Sequence, residues 1–325
     1  MADNPLRGSG AGGKPRVIAD GPLAPAVLDL MGGTFELLPW EVAAAGSSDP
    51  IDALYTYGHP PVNGAMMDRL PGLRVISNYG VGVDHINIPD AAQRGIPVGN
   101  TPNILDGATA DMGFALLLAA ARRVVEGDRH ARSPEFTVYD PGYMLGREVH
   151  GTTLGIVGLG NIGWQVARRA RGFDMKVVYH NRRERPEAFQ QLGARYVSLD
   201  ELFSQSDYVM LCCPLTAETR HLINAAALSK MKPNACLINI ARGGIVDTAA
   251  LYEALRDKRI AMAALDVTEP EPLPRDHPML GLGNLTIVPH LGSATIETRQ
   301  KMAEISVKNL FAGLRGERLL HEVKK

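Results

Sequence analysis

The sequence has few cysteines, almost no net charge and no long apolar run, and each of these shortages excludes a class of protein. Its three cysteines, Cys212, Cys213 and Cys236, lack paired spacing, so neither disulfides nor a zinc site is predicted and a cytoplasmic location is expected. Lysine plus arginine number 34 against 35 aspartates plus glutamates, so nucleic acid is not an expected partner. The most apolar stretch, residues 114–121, is too short to cross a bilayer, and no membrane partner is expected.

Length and composition predict a globular chain with two domains. The 325 residues exceed the usual size of one domain, and 45% hydrophobic with 21% charged residues is ordinary globular composition. Residues 1–15 contain glycine, asparagine and serine without the apolar segment of a secretory signal. We expect them to form a flexible leader.

Short apolar runs alternate with amphipathic stretches in two series. The first series is RVIA at Arg16, TFELL at Thr34, ALYTY at Ala53, LRVIS at Leu73 and IPV at Ile96. The second is TTLGIVG at Thr152, MKVVYH at Met175, YVMLCC at Tyr208, ACLINI at Ala235, AMAALDV at Ala261 and LTIVPH at Leu285. A spacing of about twenty residues accommodates a strand and a crossover helix. The pattern predicts an α/β protein with two doubly wound parallel sheets.

Two longer helices are predicted outside these series. Residues 104–123 form a helical candidate that precedes a loop-rich stretch, residues 133–151, and suits either a domain connector or an oligomer contact. Residues 295–314 form a last helix that follows the final strand and is expected to return to the first unit.

A glycine pattern follows the first strand of the second series. Gly158, Gly160 and Gly163 form G-x-G-x-x-G between a predicted strand and a predicted helix. The first glycine permits a tight turn, the second lets the backbone approach a pyrophosphate, and the third lets helix and strand pack closely. The helix N-terminus then faces the phosphates. The predicted dinucleotide-binding turn comprises Gly158, Leu159, Gly160, Asn161, Ile162 and Gly163.

The next strand indicates which dinucleotide is bound. NAD sites usually place an acidic residue about twenty residues beyond the glycine turn. Here Asn181, Arg182, Arg183 and Arg185 stand there instead, and guanidinium groups bind a 2'-phosphate well. NADP(H) is therefore predicted as the preferred cofactor, with NAD(H) possible. The alternative is a solvated basic turn that Glu184 partly neutralises.

Polar residues at the ends of later strands suit the reduction of a 2-oxo acid. Arg242 offers paired donors to a carboxylate or carbonyl, and His290 belongs to the residue type that donates protons near neutrality. Glu271 would orient the ring and favour the imidazolium. Asp266 ends a strand and has two interpretations, a contact near the nicotinamide or a residue that fixes the turn. His85 and His150 are interpreted as structural.

A glycine-rich loop in the first series suggests an anion site. Gly80 and Gly82 leave the backbone of NYGVGVDH accessible, so the N–H groups of Val81 and Gly82 are candidates to bind a carboxylate. The alternative is a tight turn without a ligand.

Together with NYGVGVDHI at Asn78 and the PLT turn at Pro214, these motifs resemble the D-isomer-specific 2-hydroxyacid dehydrogenase family over essentially the whole chain after the leader. Within the family, the resemblance is greatest to the glyoxylate and hydroxypyruvate reductases, through the segments DVTEPEPLPRDHPML, PHLGSATIETRQ and YHNRRERP. The 2-ketogluconate reductase branch is similar too. The resemblance implies NADPH-dependent reduction of small 2-oxo acids to D-2-hydroxy acids, with His290 as general acid.

The resemblance also implies specific site residues. The implied catalytic residues are His290, Glu271 and Arg242, and the implied substrate-binding residues are Val81, Gly82, Arg242, His290 and Ser293. Besides the glycine turn and the basic tip, the implied cofactor contacts are Thr109, Pro214, Ile240, Ala241, Asp266 and Gly292.

The implied architecture is a Rossmann cofactor domain inserted in a flavodoxin-like substrate domain. The substrate domain is expected to comprise residues 16–102 and 296–325, and the cofactor domain residues 103–295. A homodimer joined mainly through residues 104–150 is also implied.

Two other functions fit the fold but fit these residues less well. Formate dehydrogenases of the superfamily replace the carboxylate partner of the histidine by an amide, so Glu271 favours hydroxyacid chemistry. Nucleotide-sensing corepressors of the C-terminal-binding-protein type resemble the fold but keep an acidic ribose partner, whereas the tip here is basic.

Overall fold

The computed structural model describes Leu6, residues 8–57 and residues 60–324. In chain order, its first strands and helices are β1 (Arg16–Ala19), α1 (Pro25–Met31), β2 (Glu36–Leu38), α2 (Trp40–Ala45), β3 (Ala53–Thr56), α3 (Gly64–Asp68), β4 (Val75–Asn78), α4 (Ile88–Gln93) and β5 (Val98–Gly99). They are followed by α5 (Asp106–Ala121), α6 (Val124–Ala131), β6 (Thr153–Val157), α7 (Asn161–Ala170), β7 (Lys176–His180), α8 (Glu187–Leu192), β8 (Arg195–Tyr196), α9 (Leu199–Gln205), β9 (Tyr208–Leu211), α10 (Ala225–Lys230), β10 (Cys236–Asn239), α11 (Thr248–Arg256), β11 (Met262–Leu265), β12 (Leu285–Ile287) and α12 (Ile296–Leu314).

The chain divides into two compact units. The first contains residues 1–105 and 295–325, and the second contains residues 106–294. Each unit has its own sheet, and all the strand pairs recorded in the two sheets are parallel. The prediction of two doubly wound α/β sheets is confirmed.

The first unit has the strand order β2-β1-β3-β4-β5, which is the order of flavodoxin-like sheets. Helix α12 packs on β4 so closely that a Cβ on Gly313 would lie 2.4 Å from Val75 Cγ2. Ser77 Oγ donates to the carbonyl of Ser306 at 2.7 Å, and the Ser306 hydroxyl lies 2.7 Å from the Tyr55 hydroxyl. The last helix therefore belongs to the core of this unit.

Part of the predicted flexible leader is bound to the first unit. Residues 1–5 and residue 7 lie outside the described residues, but Ser9 donates to the carboxylate of Asp52 through both its N–H (3.0 Å) and its hydroxyl (2.7 Å). Lys14 Nζ also donates to the carbonyl of Gly33 at 2.9 Å. The buried carboxylate of Asp52 supplies partners that the sequence alone did not reveal, and the flexibility of the leader stays a prediction.

The second unit has the strand order β12-β11-β10-β9-β6-β7-β8. Its central strands are buried on both faces: Ile156, Met210 and Ile238 pack in one core cluster, while their neighbours Val157 and Leu237 pack in another. The order reverses between β6 and β9, and ligands bind at such a switch point outside the carboxyl ends of the strands. The glycine turn leaves β6 at this edge.

Among the described residues, none of the helices combines the length and apolar character needed to cross a membrane. The same residues contain no cluster of histidine, cysteine and acidic side chains arranged to hold a metal ion.

Candidate active site

The glycine turn has the geometry of a phosphate-binding loop. Gly158 has a φ of 96°, and a Cβ there would lie 2.6 Å from the backbone nitrogen of Cys213. A Cβ on Gly163 would lie 2.2 Å from the carbonyl oxygen of Gly158, so this glycine lets α7 pack against β6. A Cβ on Gly160 would meet no protein atom within 4 Å, which leaves room for a ligand beside the backbone. These residues fit a dinucleotide.

The neighbouring predicted cofactor residues lie at the same edge of the second unit. Asn161 begins α7 and hydrogen-bonds the carboxyl of Asp106, whose pKa is raised by burial. Ile162 is half-buried in the next position. Pro214 follows β9, and its carbonyl accepts a hydrogen bond from the Thr219 hydroxyl at 2.7 Å.

The basic tip contains two exposed arginines and two residues that are engaged with the protein. Arg182 and Arg183 are exposed and, with Asn181, line an open depression of about 660 Å³. The Asn181 side chain accepts a hydrogen bond from the N–H of Leu159 at 2.7 Å. Arg185 donates to the carbonyl of Leu159 at 3.0 Å. Asn181 and Arg185 are therefore placed against the glycine turn.

His290 and Glu271 form a close pair in the second unit. Nδ1 of His290 lies 2.6 Å from Oε1 of Glu271, and both side chains are about one-third exposed (32% and 38%). This exposure lets a small molecule reach the ring, while the carboxylate fixes its orientation. The other carboxylate oxygen of Glu271 accepts from the N–H of Thr268 at 3.3 Å.

Asp266 holds the turn that carries His290. Its carboxylate accepts from the N–H of Leu291 at 2.6 Å and from that of Gly292 at 2.8 Å, and its carbonyl accepts from the N–H of His290 at 2.9 Å. His290 has a φ of 55°, a left-handed conformation that needs such support. Burial raises the pKa of Asp266, although the Leu291 N–H and the nearby imidazole oppose this effect. Of its two interpretations, the fixing of the turn is visible in the structure.

Residues around this turn are tightly packed. A Cβ on Gly292 would lie 2.9 Å from Oδ2 of Asp266 and 3.3 Å from Cγ2 of Thr109, which is buried in α5. Ser293 follows in the chain and is half-buried. Gly292 and Thr109 therefore lie beside the carboxylate of Asp266.

Arg242 lies on the turn that follows β10, after Ile240 and Ala241. Buried Asn239 shapes this turn: its amide donates to the carbonyl of Arg242 at 2.9 Å, and its oxygen accepts from the N–H of Ala241 at 3.0 Å. A Cβ on Gly243 would lie 1.9 Å from the carbonyl oxygen of Thr268. The turn of Arg242 thus packs directly on the loop that carries Glu271.

The predicted anion loop lies in the first unit, after β4. The carbonyls of Gly80 and Gly82 accept from the Asn78 amide at 2.8 and 2.9 Å, and that of Val81 accepts from the Asn100 amide at 2.9 Å. In a trans peptide the N–H points opposite to the carbonyl. The N–H of Val81 therefore points away from Asn78, and that of Gly82 points away from Asn100.

Sequence reasoning missed several residues that support the site. Trp164 lies under the guanidinium of Arg185, 4.6 Å from its Cζ to the ring centroid, and Asn239 shapes the Arg242 turn. Glu269 pairs with Arg220 at 2.6 Å and with His221 at 2.9 Å. Only the strand-end position of Asn239 gave a signal in the sequence, because the other contacts join distant segments.

Comparison with known proteins gives a consistent result. Residues 114–292 match the family model described as D-isomer specific 2-hydroxyacid dehydrogenase, NAD binding domain. A glyoxylate reductase of Korarchaeum cryptofilum is 45% identical over 94% of either chain, and one of Pyrococcus furiosus is 47% identical over 82% of this chain and 80% of that protein. The structure of an NADPH-dependent glyoxylate/hydroxypyruvate reductase from Sinorhizobium meliloti, solved with NADP and malonate, is 33% identical with a TM-score of 0.85, covering 95% of this chain and 97% of that one.

Proposed function

Because the chain belongs to the D-isomer-specific 2-hydroxyacid dehydrogenase family, and is thus an oxidoreductase that uses a nicotinamide dinucleotide, we propose that it reduces small 2-oxo acids with NADPH. Glyoxylate and hydroxypyruvate are the proposed substrates, and D-2-hydroxy acids are the products where the new centre is chiral. The observation that carries this proposal is the 2.6 Å pair of His290 and Glu271 on the edge of the second sheet.

In the proposed reaction, His290 is the general acid. A nicotinamide held at the glycine turn would supply the hydride to C2 of the substrate, whose carbonyl oxygen would then require a proton. Because Nδ1 faces Glu271, the proton is donated from Nε2. Glu271 balances the positive charge of the imidazolium, and Asp266 holds the backbone turn beneath the ring.

Arg242 and the anion loop are proposed to hold the substrate. A guanidinium offers two parallel donors to a carboxylate or a carbonyl oxygen, which an ammonium group cannot match. The N–H groups of Val81 and Gly82 are proposed to donate to the substrate carboxylate. Ser293 is proposed as a further polar contact, following the family resemblance.

The preference for NADPH is proposed from the basic tip. Arg182 and Arg183 are exposed where an NAD site ordinarily has a carboxylate, and each charge-assisted bond to a phosphate is worth about 1.5 to 3 kcal/mol before screening. The related Sinorhizobium meliloti reductase was solved with NADP, which supports the same preference.

The proposed assembly is a cytoplasmic homodimer joined through residues 104–150. Large apolar side chains are exposed along this segment, namely Phe136, Val138, Tyr139, Tyr143 and Leu145. A groove of about 920 Å³ lies beside it, lined in part by Arg123, Leu145 and the edge strand β12. Burial of such a surface by a second copy would remove both the apolar side chains and the strand edge from water.

A substrate panel tests the proposed function. Initial rates are measured for glyoxylate, hydroxypyruvate, pyruvate and 2-ketogluconate, each with NADPH and with NADH. The proposal expects the highest kcat/KM for glyoxylate or hydroxypyruvate with NADPH. A kcat/KM for 2-ketogluconate at least tenfold above both would assign the chain to that reductase branch, and equal rates with the two cofactors would remove the NADPH preference.

A further inference from the structure

Leu159, between the first two glycines of the dinucleotide turn, has both of its backbone polar groups bound by the loop after β7. Its N–H donates to Oδ1 of Asn181 at 2.7 Å, and its carbonyl accepts from Nη1 of Arg185 at 3.0 Å. Its side chain is fully buried. The centre of the turn is thus held from two sides by residues of the basic tip.

Each nitrogen of the Arg185 guanidinium has a partner within the protein. Nη1 binds Leu159, while Nε and Nη2 both lie 2.8 Å from Oε1 of Glu187. Its face lies on Trp164, which belongs to the helix that the glycine turn begins. A guanidinium used in this way has a different task from that of exposed Arg182 and Arg183.

The backbone around these two residues is fixed as well. The Tyr179 hydroxyl accepts from the N–H of Arg185 at 2.9 Å and lies 3.1 Å from its carbonyl, to which it donates. The Tyr196 hydroxyl donates to the carbonyl of Asn181 at 3.1 Å. Both ends of the tip are therefore anchored to tyrosines of β7 and β8, and the exposed arginines lie between these anchors.

We propose that Asn181 and Arg185 form a clamp on the Leu159 peptide that keeps the glycine turn in its dinucleotide-binding shape. The clamp serves NADPH and NADH equally, whereas Arg182 and Arg183 distinguish between them. Arg185 is thus a positioning residue and not a ligand of the 2'-phosphate. This inference rests on the proposed cofactor site.

Calorimetric titration with NADPH and with NADH tests the division of tasks. Arg185→Ala is expected to weaken both cofactors by a similar factor of about ten, since one charge-assisted bond to the turn is lost. The double variant Arg182→Ala/Arg183→Ala is expected to weaken NADPH at least tenfold more than NADH. Only the loss of NADPH affinity in the double variant should shrink strongly as salt is added.

Two further variants separate positioning from general damage. Arg185→Lys keeps one donor for the Leu159 carbonyl and is expected to recover part of the affinity for both cofactors. Arg195→Ala removes an exposed arginine of the same unit, whose guanidinium binds Gln205 at 2.6 Å, and is expected to change neither affinity. Melting temperatures of all variants are compared with that of the wild type.

Three outcomes would overturn the inference: a loss in Arg185→Ala confined to NADPH, no loss for either cofactor, or a loss that Arg195→Ala reproduces. If wild type binds the two cofactors equally, the proposed NADPH preference fails. The clamp is then still judged from NADH alone, so the two failures are distinguishable.

Discussion

At the scale of single residues, the structure ties the proposed proton transfer to one contact between a ring and a carboxylate. Glu271 can act on His290 in two ways, by orienting the ring and by balancing the charge of its protonated form. Either effect acts on proton transfer and leaves the cofactor site unchanged.

Glu271→Gln should keep the hydrogen-bonded geometry and remove the charge. The imidazole then loses its charge-assisted hydrogen bond, so kcat for glyoxylate reduction is expected to fall about tenfold while NADPH affinity stays close to that of the wild type. Steady-state kinetics and calorimetric titration measure the two quantities. An unchanged kcat in Glu271→Gln would separate Glu271 from proton transfer.

Asp52 is a buried acidic residue directly before β3. Burial alone would raise its pKa, but hydrogen bonds from Ser9 and Arg16 and the charge of Arg74 outweigh burial, and the pKa is lowered. A lowered carboxyl pKa stabilises the fold fully above the unfolded value of about 3.9, and this stability is lost as pH falls through the folded value.

Asp52→Asn should therefore destabilise the first unit by about 1.5 to 3 kcal/mol at neutral pH. Urea unfolding at pH 7 and near pH 3 measures the difference, which should shrink at the lower pH. Asp49→Asn is the control, since Asp49 is exposed and lies 3.6 Å from the same Arg16. Equal destabilisation by the two variants would contradict the account.

At the scale of elements, Glu269 joins the loop of Glu271 to the loop after β9. It pairs with Arg220 and His221, and its carbonyl accepts from the Thr248 hydroxyl at 2.7 Å. His221 in turn donates its N–H to the carbonyl of Gly244 on the turn of Arg242. These contacts fix the loop of Glu271 relative to the turn of Arg242.

Glu269→Gln is expected to lower kcat/KM for glyoxylate about threefold, because exposed ion pairs are worth only about 0.2 to 1 kcal/mol each. Steady-state kinetics and cofactor titration together measure the effect, and cofactor affinity should not change. Asp276→Asn, an exposed change further along the same loop, should leave both quantities intact. A result for Glu269→Gln identical to this control would remove Glu269 from the positioning of the loop.

The elements that sequence reasoning predicted are those with an apolar pattern of their own. Helix α5 lies within the predicted 104–123 stretch, and α12 begins one residue after the predicted start of its helix. Strand β8 was not predicted, because its two residues, Arg195 and Tyr196, form no apolar run and pair with β7 only through the fold.

For the candidate site, sequence reasoning identified residue types but not their partners. His290, Glu271 and Arg242 were selected by their chemistry and their motifs. The contacts of Arg185 with Leu159 and of Asp266 with the turn of His290 join segments about 26 residues apart in the chain, so only the folded structure reveals them. For the same reason, the contacts of Ser9 with Asp52 were not predicted.

At the scale of the whole molecule, the proposed homodimer gives a prediction for an exposed arm, residues 136–145. Tyr139→Glu places a charge among the apolar side chains of residues 136–145 and should convert the dimer to a monomer. Sedimentation velocity should show twice the 35.0 kDa of one chain for wild type and a single chain for the variant. Phe189→Glu is the control, because Phe189 is an exposed aromatic outside the arm. A wild-type monomer, or a Tyr139→Glu dimer, would contradict this interface.

The most direct test of the central claim compares the rate of glyoxylate reduction with cofactor affinity in His290→Ala. Loss of a general acid should lower kcat/KM by about two to four powers of ten, while NADPH affinity by titration stays close to that of wild type. A His290→Ala rate within threefold of wild type, or an equal loss of NADPH binding, would contradict the role of His290 as the proton donor.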